Sequence, residues 1–327
     1  MPDSNFTNKP FDWISDLAPA FAAQDLWHEG TYNTPALFHV SYKSLGPFAI
    51  SCGAGLLAEH VKRFRFSPEI IQRMGQVNDG RGSSVFSESF LNHLQRMRLR
   101  VNVNAAPEGT LLMPGEPILI AYGPLLQLQL METAFRKLMW EPTHWATQGA
   151  LNRWETQDWV EEDTPSSPPY PFNPDGWKIR AAYIGGASAD EILINVGLKM
   201  RTPEPGEGLS NVGIDEPGDT FGELPLIQIR RLYKGNHPLG DVWLTQPHEE
   251  KASVSKTTVH FTDARTHREK TVKFSRFQNL YQPVLSKGHP VIPTTRLGYL
   301  RQRMLKQLEY FHHADLDTYP HGWFTQS

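Results

Sequence analysis

The run DTPSSPPYPFNPDG, from Asp163 to Gly176, places five prolines within fourteen residues. Each proline lacks an amide donor and fixes its own φ, so neither a helix interior nor a central strand can pass through. The chain must therefore fold as a part before this run and a part after it. A second break, RTPEPGEGLSNVGIDEPGDTFGELP from Arg201 to Pro225, mixes Gly, Pro and acidic residues with no usable period. The organisation expected is an N-terminal α/β domain over residues 1–160, a linker at 161–176, and a reduced region at 177–275 with a long loop at 201–225. A C-terminal segment, 276–327, is expected to pack back on the first domain.

Helical spacing is clearest at GLLAEHVKRF (Gly55–Phe64), at SPEIIQRM with Ser67 as cap and Pro68 behind it, and at SESFLNHLQRM (Ser87–Met97). Leu125 to Trp154 reads as two helices split near Glu141-Pro142, because a proline disfavours a helical residue before it. Leu297, Leu300, Met304, Leu305, Leu308 and Phe311 form an apolar stripe near the C-terminus. SDLAPAFAAQDLWHEGTYNTPALF (Ser15–Phe38) reads as a helix, a turn and the start of a strand. Strands are predicted at LFHVSYK, PFAISCG, LRVNVNA, GTLLM, PILIAYG, KIRAAYI, PLIQIRRLY, DVWLT, TTVHFT and KTVKFS, the last two alternating as half-exposed antiparallel strands do.

Composition narrows the function classes. The net charge of −3 and the absence of long basic runs argue against a nucleic-acid partner. Three prolines break LLMPGEPILIAYGPLLQLQL, the richest apolar stretch, well short of the ~18 residues of a membrane helix. Cys52 is the sole cysteine, which excludes an internal disulfide or a thiolate cluster. The polar start MPDSNFTNKPFDW does not resemble a signal peptide, so a cytoplasmic location is expected, with no nucleic-acid and no membrane partner.

The most distinctive stretch is Val85 to Thr147. Phe86-Ser87 leads into a helix, followed by Pro107-Glu108-Gly109-Thr110, Pro117-Ile118-Leu119, Gly123-Pro124-Leu125, Glu132-Thr133 and Ala146-Thr147. In this order and spacing the set resembles the nicotinate phosphoribosyltransferase family. Ser15-Asp16-Leu17 occupies the place of that family's T-D-L-Y, and Pro35-Ala36-Leu37-Phe38 that of its P-A-x-F. YQPVLSKGHPVIP and Tyr319-Pro320-His321-Gly322 are similar to its closing segment. The resemblance implies an N-terminal α/β domain joined to an irregular α/β barrel, with active sites at a dimer interface. It also implies a reaction that joins nicotinate to phosphoribosyl pyrophosphate, usually with ATP hydrolysis. Such chemistry needs groups that hold phosphates, Mg²⁺ on the pyrophosphate and an aromatic pair around the pyridine ring.

The residues that carry this chemistry do not transfer. The family's stacking tyrosine falls on Ala18, and its cationic residue after the first strand survives as Lys43, a candidate phosphate contact. The F-G-x-R-R motif, the G-T-x-x-H-S histidine, D-T-Y and D-S-G-D have no counterparts. From Asp175 to Lys287 the chain is far shorter than the ~200 residues a complete eight-stranded barrel needs. Half a barrel exposes two sheet edges; either they are covered, or the region has refolded as a smaller mixed sheet.

KIRAAYIGGASADEILINVGL reads as strand, Gly-Gly turn and capped helix, with Gly185 and Gly186 placed to offer backbone N–H groups to a phosphate. The alternative is a connection that simply needs glycine. His312-His313 point about 100° apart on a helix and do not share an ion readily. The tryptophans from Trp140 to Trp159 read as core packing. Arg230 and Arg231 face opposite sides of a strand, and Glu108 organises a turn.

No catalytic residue and no metal ligand is assigned. The expected fold class is α/β (α+β), an N-terminal mixed domain plus an incomplete barrel-like one. The expected function is a non-catalytic relative in binding or assembly. The alternatives are an active transferase using Mg²⁺, phosphoribosyl pyrophosphate and ATP, or a different enzyme reusing the cleft. A homo-oligomer or a protein partner covering the shortened barrel completes the expectation.

Overall fold

A computed structural model describes residues 17–42, 46–157, 180–186, 214–215, 226–245, 257–293, 295–312, 316 and 318–325. Helix α1 (Ala18–Glu29) stops at Gly30, whose positive φ of 76° lets its amide turn back to the Leu26 and Trp27 carbonyls. The chain then enters β1 (Pro35–Ser41) and the short β2 (Ala49–Ile50). Three helices follow: α2 (Ala54–Val61), α3 (Pro68–Gly75) and α4 (Glu88–Arg96). The Ser67 and Ser87 hydroxyls cap the last two by accepting from the Ile70 and Phe90 amides, each at 3.4 Å. Helices α1, α3 and α4 share a core around Phe66, Phe86 and Phe90.

Strands β3 (Asn102–Ala105), β4 (Leu111–Leu112) and β5 (Pro117–Pro124) complete the N-terminal half. The turn expected at Pro107-Glu108-Gly109-Thr110 lies between β3 and β4. Helix α5 (Leu125–Phe135) packs on β1 and β5, burying Leu128 and Met131 in the main core.

The expected break at Glu141-Pro142 is absent. A π-helical turn, Arg136–Trp140, joins α5 directly to α6 (Glu141–Thr156), and Glu141 keeps helical angles of φ −59° and ψ −49°. The wider turn makes room for the proline ring that a regular α-helix would push into the preceding carbonyls. Pro142 has no N–H to offer the Leu138 carbonyl. That oxygen lies against Gly53, where a Cβ would overlap it.

Where it is described, KIRAAYI is not a strand. Residues 180–184 are helical, and the turn Gly185-Gly186 ends that helical segment. It lies across α6 with backbones in contact, since a Cβ on Gly149 would come within 2.9 Å of the Gly185 carbonyl oxygen. Small residues at the crossing make this approach possible, and the approach selects helix over strand. The capping box expected at Ser188 lies outside the described residues.

The first sheet has the order β13-β12-β3-β5-β1-β6, with every pair antiparallel. Its outer members are β6 (Ile214–Asp215), β12 (Gln282–Ser286) and β13 (His289–Pro290). Sequence periodicity missed β13 altogether because a two-residue strand has none.

The second sheet comprises β7 (Leu226–Lys234), β8 (His237–Thr245), β9 (Thr258–Asp263), β10 (Glu269–Lys273), β11 (Arg276–Asn279) and β14 (His321–Phe324). Their order is β10-β9-β14-β8-β7-β11, antiparallel except for the parallel pair β14 and β8. Among the described residues, the strands of 226–279 together with β14 therefore form one mixed sheet, and the class is α+β. Burial alternates along β9, as its sequence suggested. Helix α7 (Leu297–His312) buries Leu300, Met304, Leu305, Leu308 and Phe311 against α6 and β4. No helix among the described residues is long and apolar enough to cross a membrane.

Candidate functional site

Polar groups converge where the β3–β4 turn meets the start of α2. Gly109, at φ +80°, donates to the Ser51 carbonyl at 2.8 Å, and Ser51 returns the bond to the Thr110 carbonyl at 2.8 Å. This pins the Glu108 side chain beneath the first turn of α2. One carboxylate oxygen of Glu108 accepts from the Gly53 amide at 2.8 Å, and the other accepts from Arg180 Nη2 at 2.6 Å. The helix N-terminus and the guanidinium thus hold one buried negative charge between them. Arg303 Nη1 donates to the Glu108 carbonyl at 3.1 Å, and Gln307 Nε2 to the Gly109 carbonyl at 2.8 Å, so α7 closes the node. Glu108 organises the turn, as its sequence context indicated, and also fixes the helical segment at 180–184.

The chemistry available at this node is limited by what is already paired. Cys52 is fully buried, and burial pushes its thiol pKa well up, with the Glu108 charge adding to the shift. A thiol held protonated is a poor nucleophile. Glu108 has both oxygens engaged.

Gly185 and Gly186 stand beside this node at the end of the helical segment. Their amides donate to the Ala181 and Tyr183 carbonyls at 2.9 and 3.0 Å, and the Gly186 carbonyl accepts from Arg153 Nε at 2.7 Å. The N–H groups that would face a phosphate are spent within the turn. Gly186 needs its φ of +92°, and Gly185 needs the space its missing side chain leaves against Ala146. Lys43 lies outside the described residues, next to the buried Tyr42. The Tyr42 hydroxyl pairs with His144 Nδ1 at 3.0 Å, and burial raises its pKa to about 12. Ala18 is the first residue of α1 and is exposed.

A second cluster went unrecognised in the sequence. Arg231 on β7 and Asp241 on β8 stand directly opposite in the ladder, and both are fully buried. Arg231 Nε and Nη2 grip the two Asp241 oxygens at 2.8 and 2.6 Å. Glu116, 1% exposed, brings a second carboxylate to 3.9 Å from Arg231 Nη2. The Tyr319 hydroxyl donates to Asp241 Oδ1 at 3.1 Å, and Trp243 Nε1 donates to Glu116 Oε1 at 3.4 Å. Arg230, on the other face of β7, places its guanidinium over the Phe277 ring, so the two arginines do point apart. The adjacent pair Arg230-Arg231 was the only hint, and periodicity does not reveal which of two arginines is buried.

The remaining candidates are packing. Trp140 and Trp145 are buried, and Trp154 meets Phe48 and His312 edge-on. Trp159 and His313 lie outside the described residues. Among the described residues, no group of three or more His, Cys, Asp or Glu side chains could hold a metal ion.

Two segments of the chain match known protein families. Residues 14–139 match the nicotinate phosphoribosyltransferase N-terminal domain, and residues 228–316 match the nicotinate phosphoribosyltransferase C-terminal domain. A nicotinate phosphoribosyltransferase of Mycobacterium tuberculosis is 32% identical over 123 residues, covering 37% of this chain and 25% of the relative. The Bacillus subtilis nicotinate phosphoribosyltransferase is 24% identical over 209 residues, covering 63% of this chain and 41% of the relative. The human one is 30% identical over 136 residues, 40% of this chain and 24% of the relative. The matches thus span between a quarter and two fifths of these relatives.

Two solved structures resemble the fold. The crystal structure of human nicotinic acid phosphoribosyltransferase aligns with a TM-score of 0.65 at 15% identity, covering 95% of this chain and 97% of that one. Nicotinate-nucleotide pyrophosphorylase from Pyrococcus furiosus aligns at 0.52 and 13% identity, covering 95% and 99%. At these identities the likeness speaks to the fold alone.

Proposed function

Given that this chain belongs to the nicotinate phosphoribosyltransferase family, we propose that it is a member without catalysis, acting in binding or assembly. The observation that carries this reading is the position of Ala18. The family's stacking tyrosine is replaced at Ala18, the exposed first residue of α1, by a methyl group that offers no face for a pyridine ring. The sequence between the two matched regions supports it, since the arginine pair, the histidine and the carboxylates of the family have no counterparts there. Glu108, Arg180, Arg231 and Asp241 offer charge, but it is consumed in mutual pairs.

The transferase reaction needs phosphates held, pyrophosphate neutralised and the ring oriented at once. Loss of a single electrostatic stabiliser commonly costs ~10²–10³ in rate. Ala18→Tyr should therefore restore no synthesis of nicotinate mononucleotide, because one ring supplies only one of these tasks. Turnover appearing in Ala18→Tyr would mean that the other groups are present and would overturn the reading.

We further propose that the chain works as a homodimer or larger assembly. β11, at one end of the second sheet, is exposed along its length and carries Phe277 at 45% exposure, a surface that association would cover. Light scattering at micromolar concentration should give at least twice the chain mass of 37.1 kDa, whereas a monomer would refute it.

A further inference from the structure

The two family-matched regions meet at Glu116, which belongs to the first, and at Arg231, Asp241, Trp243 and Gln307, which belong to the second. Glu116 sits in the turn before β5, held by the Met113 amide at 2.8 Å. Asp241 and Arg231 sit mid-strand in the second sheet. The cluster holds two acids and one base, all within 1% exposure. If both acids were ionised, an uncompensated negative charge would be sealed away from water, which proteins avoid by protonation. The hydrogen bonds decide which acid is neutral. Arg231 grips Asp241 through two nitrogens but only approaches Glu116, at 3.9 Å, so Asp241 is the carboxylate.

We propose that Glu116 carries a proton inside the fold, and that this neutral acid makes the seam between the two matched regions a latch that loosens as pH rises. The groups facing Glu116 are consistent. Asp241 opposes its ionisation, and Arg231 favours it from a greater distance. Tyr281 is fully buried behind it, with its hydroxyl committed to the Pro117 carbonyl at 2.7 Å, and Tyr319 is committed to Asp241. Burial first, and then the Asp241 charge, push the Glu116 carboxyl well above the ordinary carboxylate range, while Arg231 pulls it back.

The sign of the pH effect follows. Above the unfolded glutamate pKa of about 4.3, Glu116 binds a proton in the native chain that it has lost in the unfolded chain, so its contribution to stability falls as pH rises until it ionises in the fold; below about pH 7 the buried histidines contribute with the opposite sign. Across that window the unfolding constant grows up to tenfold per pH unit. The buried Cys52, Tyr281 and Tyr319 add losses of the same sign only above about pH 8.5.

The test is urea unfolding of the full chain between about pH 7 and pH 8.5, in wild type, Glu116→Gln and Asp241→Asn. Glutamine keeps the shape and the neutral state of Glu116, so Glu116→Gln should match wild type near neutrality and lose its pH slope. Asp241→Asn strips Arg231 of its partner and should be far less stable throughout. A Glu116→Gln variant with the wild-type slope, or one as unstable as Asp241→Asn, would overturn the proposal. If Glu116→Gln does not fold, the infrared spectrum of the wild-type protein at about pH 8 decides, because ordinary carboxyls are ionised there. A carbonyl band from a protonated carboxyl supports the latch, and its absence refutes it.

Discussion

Substituting Gly53 by alanine tests the account of how the candidate node is assembled. Gly53 precedes α2 with φ +106°, a conformation that L-residues reach at about 1–2 kcal/mol. Its added Cβ would also overlap the Leu138 carbonyl oxygen and lie only 3.0 Å from Met139 Cα, both in the π-helical turn. Backbone on both sides leaves no flexible side chain to yield. Relief requires moving either α2 or the π turn, which would stretch the Gly53 amide from Glu108 and cost a buried charge-assisted bond of roughly 1.5–3 kcal/mol. The sum for Gly53→Ala is about 3–5 kcal/mol, in the range reserved for named structural faults. Gly30→Ala is the control: φ is +76° and nothing lies within 4 Å, so only the backbone term applies, about 1 kcal/mol. With a urea m-value of about 3 kcal/mol/M, the midpoints should fall by more than about 1 M for Gly53→Ala and by about 0.3 M for Gly30→Ala. Equal shifts for the two variants would refute the claim that the π turn packs against Gly53.

Glu108→Gln keeps an acceptor for the Gly53 amide but leaves Arg180 without its charge partner, so it should cost about 2 kcal/mol, read from urea midpoints at neutral pH. Cys52 should stay unlabelled by a thiol reagent in the native protein and react at the rate of unfolding, with Glu108→Gln labelling faster. Burial lowers the His321 pKa, so the unfolded chain binds the extra proton first and stability falls as pH drops below about 6.5. His60 and His93 act in the same direction, and His321→Asn should flatten the profile between about pH 7 and pH 5 without abolishing it.

The parts legible in the sequence are those written in local signals. Ser67 and Ser87 announced their helices because a hydroxyl before an apolar period has one obvious use, and both cap as read. β9 declared its half-exposed face by alternation. Legibility failed where tertiary contact outweighed local preference. KIRAAYI has strand-like residues, yet its described part, 180–184, is helical, and Gly185 and Gly149 allow that part to lie backbone to backbone on α6. Pro142 should end a helix, yet a single wide turn absorbs it. β11 and β14 join partners far away in the chain, so no window of sequence contains their reason. The family resemblance located the Glu108 turn correctly. The Glu116, Arg231 and Asp241 cluster was invisible because its members lie on three separate strands or turns.

Turnover by the wild-type protein tests the central claim most directly. Purified full chain is supplied with nicotinate, phosphoribosyl pyrophosphate, Mg²⁺ and ATP, and nicotinate mononucleotide is counted by mass spectrometry against a boiled control. With Ala18 in place of the ring, and with no family arginine pair, histidine or carboxylates in the sequence, product should not exceed the control. Product that accumulates with time and enzyme concentration would contradict the account, and would mean that the reaction is carried by residues other than those the family uses.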